Sequence, residues 1–215
     1  MIQLSDIISR IRTKHEQATN VRWTDANIQG IINEGLESLA ESTHFYERYT
    51  TIPMAVSRHW YDLRGFVPET VVRIRSVYNT NRTEWLCPGA VENLPYDWLL
   101  SVGEPQVYFT RGIHWLGVWP KPGSGNAGFL RVYFSAIPAH FTFTQAVLRD
   151  LPDNHIPALE DYALYEMAAQ DRQGARAKTL YRSYLAREKG LQDFIDRRMV
   201  DSTAGVMSGM MGPNQ

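Results

Sequence analysis

Apolar residues recur every three or four positions along the first part of the chain, the spacing that places side chains on one face of an α-helix. In the first predicted helix, over residues 2–19, these positions are Leu4, Ile7, Ile8 and Ile11. In the second, over residues 25–42, they are Ile28, Ile31, Ile32, Leu36, Leu39 and Ala40. Thr24 or Asp25 is expected to cap the second helix, because either side chain can accept a hydrogen bond from its free backbone N–H groups.

Two glycines, Gly30 and Gly35, lie inside the second predicted helix. Each is expected to destabilise the helix by about 1 kcal/mol relative to alanine. Close packing against another helix would explain why glycine is used there, and we predict such contacts.

Between residues 45 and 137 the chain has short runs rich in Tyr, Trp, Val, Ile and Thr, separated by Pro and Gly, which is typical of β-strands. A short helix is also predicted within residues 89–101, where apolar residues have helical spacing. In the third strand, alternation places Arg73 and Arg75 on one face. The predicted strands cover residues 48–54, 59–63, 70–79, 83–86, 106–110, 114–119 and 129–136.

Helical spacing returns after residues 151–157, which include two prolines. A third helix is predicted from Leu159 to about Gly174, and a fourth over residues 175–199. The last residues, 200–215, are rich in Gly, Ser and Met and are predicted to form an extended tail that does not fold by itself.

Helices and strands are therefore segregated along the chain, which predicts an α+β fold and no doubly wound sheet. We predict a helical bundle of the N- and C-terminal helices, with an inserted antiparallel β module and an extended C-terminal tail. The predicted boundaries are 1–44 for the N-terminal helical hairpin, 45–150 for the β module, 151–199 for the C-terminal helical pair and 200–215 for the tail.

Charge and composition argue against several classes of protein. The formal net charge is −1 and the pI about 6.6, whereas a protein that binds nucleic acid by neutralising phosphates usually has a basic excess. No apolar run approaches the roughly 20 residues of a membrane span, and the N-terminus does not read as a secretory signal. The single cysteine, Cys87, allows no disulfide within one chain and is predicted to be a small buried apolar residue.

Motifs of catalysis and cofactor binding are weak in this sequence. Residues 123–128 match GxGxxG, but prolines precede them and a predicted strand follows, so a flexible hairpin loop is expected instead of a dinucleotide site. The histidines show no local metal-site spacing, and no GxSxG motif exists. We therefore predict no enzymatic activity, no cofactor and no metal. Carboxylates near the start of the third helix are attributed to its dipole: Asp150, Asp153, Glu160 and Asp161.

Two groups of residues are candidates for contacts with other molecules. The tail has apolar side chains that are hard to leave in water, and we predict that it docks into a groove on a partner. Its docking residues are Val200, Val206, Met207, Met210 and Met211. The second group consists of arginines with two possible roles. They form ion pairs on a solvated face of the same chain, or they pair with a neighbouring subunit or line a DNA channel. The first interpretation is favoured. These arginines are Arg73, Arg75, Arg182, Arg187, Arg197 and Arg198.

Short matches spread over most of the chain, in this order, resemble the phage head–tail adaptor (connector) proteins that sit beneath the portal ring. They are LSDII from Leu4, WTDANI from Trp23, IINEGL from Ile31, GEPQVY from Gly103, LGVWPKP from Leu116, LRVYFSAIP from Leu130, LP from Leu151 and LEDYA from Leu159.

The resemblance implies a virion structural protein without catalytic residues. It implies a homo-oligomeric ring, commonly a dodecamer, through which double-stranded DNA passes without sequence-specific binding. The implied partners are the portal protein, into which a C-terminal extension such as residues 200–215 would dock, and a tail nozzle or other tail proteins. The implied location is the head–tail junction of the virion, and the host cytoplasm during assembly.

Three alternatives stay open at this point. The first is another neck protein, such as a tail-completion or gatekeeper protein. The second is a polysaccharide-degrading hydrolase that acts through scattered carboxylates and the aromatic β module. The third is a non-viral binding module.

Overall fold

The computed structural model describes residues 3–15, 22–126, 128–141 and 151–210, and its described side chains end at Arg198. Two compact units form: the helical unit, from Met1–Phe45 and Ala139–Gln215, and the β unit, from Tyr46–Pro138. The combination of helices with mainly antiparallel sheets confirms the predicted α+β class. The predicted domain boundaries stay a prediction.

The helical unit is built on one apolar core to which all of its described helices contribute. Ile7, Ile32, Leu164 and Tyr184 are examples of buried core residues, one from each helix. The apolar stripes predicted for the first two helices are buried, so their helical spacing does mark the core face. The helices are α1 (Leu4–Lys14), α2 (Asp25–Thr43), α3 (Ile156–Gln170) and α4 (Gly174–Met210).

The structure of α2 confirms the predicted N-cap and one of the two predicted close contacts at glycine. The Thr24 hydroxyl accepts a hydrogen bond from the Asn27 backbone N–H at 3.2 Å, as expected of an N-cap. A Cβ atom on Gly35 would lie 2.7 Å from Cδ1 of Tyr162, so Gly35 does allow close packing against α3. Gly30 has open space around it, and the predicted contact there is wrong.

The extended tail predicted from Val200 is wrong for residues 200–210, because α4 continues to Met210. Extending an existing helix by one residue needs no new nucleation. The first helix-breaking proline after α4 begins is Pro213. Residues 211–215 lie outside the described part of the chain.

The β unit contains two four-stranded sheets and a two-stranded one. Sheet I has the order β1-β10-β3-β4 and is antiparallel. Sheet II has the order β2-β8-β7-β5; its β5–β7 pair is parallel, as is the small β6–β9 sheet, so the module is not purely antiparallel as predicted. The strands are β1 (Glu47–Pro53), β2 (Trp60–Asp62), β3 (Val71–Asn79), β4 (Glu84–Trp85), β5 (Cys87–Pro88), β6 (Val102–Gly103), β7 (Val107–Arg111), β8 (Trp115–Trp119), β9 (Lys121–Pro122) and β10 (Phe129–Ala136).

The seven predicted strands are confirmed, each to within one residue at either end. Of the short helix predicted within residues 89–101, the structure has only a 3₁₀ helix at Val91–Asn93, and hydrogen-bonded turns follow it. Pro95 explains the difference, since proline lacks the N–H that a continuing helix requires. Cys87 is exposed rather than buried, because β5 is an edge strand of sheet II.

Alternation along β10 separates the core of the β unit from its surface. Leu130, Val132 and Phe134 are buried, whereas Phe129 and Arg131 are exposed. The Tyr108 hydroxyl of sheet II donates a hydrogen bond to the Arg75 carbonyl of sheet I at 3.1 Å. The outward-facing residues of both sheets are therefore the ones open to other molecules.

Candidate interaction surfaces

The predicted docking residues lie at the far end of α4. Val200, Val206, Met207 and Met210 all belong to this helix, whereas Met211 lies outside the described residues. Near them, the ring of Phe194 lies 5.3 Å from the ring of His155, which directly precedes α3. α4 therefore continues beyond the beginning of α3. From Phe194 to Met210 it is about 24 Å long, at 1.5 Å per residue.

The two arginines of β3 differ in their surroundings. The pairing of β3 with β10 is irregular at Arg75, which has no partner residue in the register between Ser76 and Ile74. Side chains therefore do not simply alternate between Arg73 and Arg75, so the prediction that both lie on one face of β3 no longer follows. Arg75 forms an ion pair with Glu47 at 3.4 Å, whereas Arg73 is exposed.

The arginines of α4 also fall into two groups. Arg187 donates a hydrogen bond to the buried carboxylate of Asp161 at 2.6 Å, and Arg198 lies over the ring of Phe194 at 5.3 Å. Arg182 and Arg197 are exposed and form no ion pair with any residue that the structure describes. Ion pairing within the helical unit thus explains Arg187, whereas Arg182 and Arg197 lie exposed on α4.

Glu160 and Asp161 are attributed to the dipole of α3 in the sequence analysis, and the structure shows that this explanation is wrong. Both lie beyond the first turn of α3 and are buried. Lys14 and Arg10 of α1 pair with Glu160 at 2.5 and 3.4 Å. Ion pairing between helices is therefore their role. Asp153 is exposed in the turn before α3, and Asp150 lies outside the described residues.

Four aromatic side chains form a layer on the outer face of sheet I, and the sequence alone did not reveal this layer. Tyr49, Tyr133, Trp85 and Tyr78 come from all four strands, with successive ring centroids 5.8, 5.4 and 5.1 Å apart. Tyr49 is 63% and Trp85 52% exposed. Arg131 lies over Tyr49 at 5.4 Å, and its hydrogen bond with Tyr133 raises the pKa of the guanidinium. Exposed Tyr, Trp and Arg side chains are the usual anchors of protein interfaces.

A group of tyrosines and glutamates lies where α2, α3 and α4 meet. Burial raises the pKa of Tyr162 to about 12, and the nearby Glu166 and Glu34 add to this. Burial also raises the pKa of Glu166, with repulsion from Glu34 as the second cause. Tyr184 is fixed by a hydrogen bond between its hydroxyl and that of Ser38 at 3.0 Å.

Replacing Glu166 by glutamine is expected to stabilise the helical unit at pH 7, raising its unfolding midpoint by about 2 °C. A carboxyl group whose pKa is raised by folding favours the folded state at low pH and loses this contribution as the pH rises above its ordinary value of 4.5. The gain of Glu166→Gln should therefore shrink as the pH falls through this range. Thermal unfolding between pH 3.5 and 7.5 measures it.

The matched variant is Glu34→Gln, which removes the repulsion between Glu34 and Glu166 by changing the other partner. In the Glu166→Gln background it should add little, since the two changes remove one interaction. A Glu166→Gln chain that is less stable than the original at pH 7, or a gain that does not vary with pH, would contradict this explanation.

The described residues give no support to cofactor chemistry. In the parts of the chain with described positions, no group of three His, Cys, Asp or Glu side chains could hold a metal ion. The GxGxxG match is followed by β10 and not by a helix, which excludes the geometry of a dinucleotide site. None of the described helices combines the length and apolar character of a membrane span.

Comparison with protein families gives a match over nearly the whole chain. The family model described as the SU10 adaptor protein matches residues 2–207, which include both units and α4 almost to its end. Comparison with curated proteins finds no match. Since the family match covers nearly the whole chain, the protein belongs to the SU10 adaptor protein family, a family of phage head–tail adaptors.

Proposed function

We propose that this member of a virion structural family joins the phage head to the tail. Copies of the chain form a ring around the DNA channel, bind the portal ring and provide the surface to which tail components attach. The family match over residues 2–207 carries the proposal, because it includes both four-stranded sheets of the β unit and α4 up to residue 207. A formal net charge of −1 suits a channel that DNA must pass without being held.

The C-terminal end of α4 is the proposed contact with the portal. The helix continues past the beginning of α3 and its apolar core, as the contact between Phe194 and His155 indicates. Val206, Met207 and Met210 then supply apolar side chains of the kind that dock into a groove on a partner. The proposed contact with the portal uses residues of α4 and none of the β unit.

The outward aromatic layer of sheet I is the proposed attachment surface for tail components. Its rings form a connected layer across four strands, and Arg131 gives it a cation near the centre. The exposed Arg182 and Arg197 of α4 are proposed to face the DNA channel or a neighbouring subunit, since no residue with a described position pairs with either.

Binding to the portal ring of the same phage tests the proposal. Full-length protein should co-sediment with the portal ring in multiple copies, and a chain that ends at Met199 should lose at least about tenfold in affinity. A full-length chain with Val206, Met207 and Met210 replaced by asparagine should behave like the truncated one. Replacing Ser202 and Ser208 by alanine is the matched control and should leave binding unchanged.

The outcomes separate the parts of the proposal. If full-length protein does not bind the portal ring, the adaptor role of this chain is wrong. If the truncated chain binds as well as the full-length chain, the adaptor role stands and the docking role of the α4 end is wrong.

A further inference from the structure

The segment over residues 94–102, which ends at the first residue of β6 and is named the 94–102 loop, presents apolar side chains to solvent. Exposed apolar groups concentrated in so short a segment are unusual on a monomeric surface and mark sites of association. The exposed fractions are 105% for Tyr96, 54% for Leu99, 77% for Leu100 and 57% for Val102.

Contacts with the sheets hold this loop in place. Nε2 of His59 and Nζ of Lys121 lie 3.1 and 3.0 Å from the Leu99 carbonyl oxygen. The ring of Trp98 packs edge-on against the rings of His59 and Phe109, with centroids 5.0 and 5.6 Å away. Because the loop is already ordered, binding through it loses little conformational entropy.

An open cavity of about 760 Å³ lies on sheet II and is lined by Trp60, Arg111, Gly112 and Trp115. A cavity of about 150 Å³ already holds a benzene ring, so this one has room for several side chains. Arg111 is exposed, and no described residue forms an ion pair or hydrogen bond with its side chain. The cavity thus combines two tryptophan rings with a cation that has no counter-charge.

The 94–102 loop has the complementary chemistry. Asp97 lies next to Tyr96 and close to Leu99 and Leu100 in the sequence, is exposed, and forms no ion pair with any residue in the described part of the chain. The loop therefore offers apolar side chains beside an anion, where the cavity offers apolar rings beside a cation. Both are made of different residues of the same β unit, so every copy of the chain carries both.

We propose that the 94–102 loop of one copy inserts into the Trp60–Trp115 cavity of the next copy. Leu99 and Leu100 cover the tryptophan rings, and Asp97 pairs with Arg111 of the neighbour. Contacts between two different surface patches repeat from copy to copy, and they close into a ring where the rotation from one copy to the next completes a full turn. The inference rests on the proposed ring and names the residues through which its subunits recognise each other.

A charge exchange in the full-length chain tests this contact, with the number of copies assembled on the portal ring measured by native mass spectrometry. Asp97→Arg and Arg111→Asp should each reduce assembly by about tenfold or more, because each places like charges in contact. The double variant should assemble as the original chain does. An equal mixture of the two single variants should also assemble, since each supplies the charge that the other lacks. Glu92→Arg, an exposed carboxylate just before the loop, should have no effect.

Rescue in the mixture is possible only if the pair forms between copies. Single variants that assemble normally, or a mixture and a double variant that both fail, would overturn the proposal and assign these surfaces to another protein or to none. Circular dichroism of each variant establishes that it is folded. Failure of the original chain to bind the portal ring would instead overturn the proposed function, so the two failures are distinguishable.

Discussion

Replacing Gly117 by alanine is expected to destabilise the β unit by about 2–3 kcal/mol, the upper part of the range for overpacking a core. Gly117 is buried in β8, and a Cβ atom there would lie 2.0 Å from Cε2 of Phe109. The Phe109 ring has little freedom to move away, because Trp60 and Trp98 pack edge-on against it with centroids 5.1 and 5.6 Å away. Urea unfolding followed by tryptophan fluorescence measures the loss.

A second substitution tests whether the clash with Phe109 is the cause. In a Phe109→Leu background, Gly117→Ala should retain about half or less of its effect, since the smaller side chain leaves room for the methyl group. Gly65→Ala is the matched control within the same unit, because a Cβ atom there meets nothing within 4 Å. An equal loss of stability in the two backgrounds would show that backbone strain, and not this contact, makes glycine necessary at residue 117.

Seven strands were predictable because each one carries its own signal, whereas the two-residue strands β5, β6 and β9 were not predicted. In β10, alternation of buried and exposed side chains from Phe129 to Phe134 can be read from the sequence, and its ends agree with the structure. The N-cap at Thr24 and the buried apolar positions of α2 can likewise be read from a short stretch of sequence. Such features depend on neighbours along the chain, so a single sequence is sufficient to find them.

The missed features depend on contacts between distant segments. Whether Glu160 serves a helix dipole or an ion pair is decided by α1, which lies about 150 residues away along the chain. The aromatic layer of sheet I arises because Tyr49, Tyr133 and Trp85 occupy neighbouring strands whose order the sequence does not reveal. The exposure of Cys87 likewise follows from the edge position of β5. Candidate surfaces of this protein therefore emerge from strand order and helix packing, and not from motifs.

Replacing Glu160 by lysine is expected to destabilise the helical unit by about 3–5 kcal/mol, the range for leaving a buried charge without its partner. The Glu160 side chain is only 3% exposed, and Lys14 and Arg10 of α1 pair with it from the other side. A lysine there would bring a third cation to a buried position and would push α1 away from α3. Since α1 contributes Ile7 and Ile11 to the core, we expect loss of its packing as well. Thermal and urea unfolding, followed by far-ultraviolet circular dichroism, measure the change.

The compensating variant distinguishes charge from shape. Adding Lys14→Glu to Glu160→Lys reverses the pair and should recover about half of the lost stability, because Arg10 still faces the new lysine. Glu41→Lys, on the exposed surface of α2, changes the net charge equally and should alter stability by about 0.5 kcal/mol or less. If Lys14→Glu deepens the loss instead, Glu160 holds its place by packing, and the ion pairs between α1 and α3 do not secure the N-terminal helix of this adaptor.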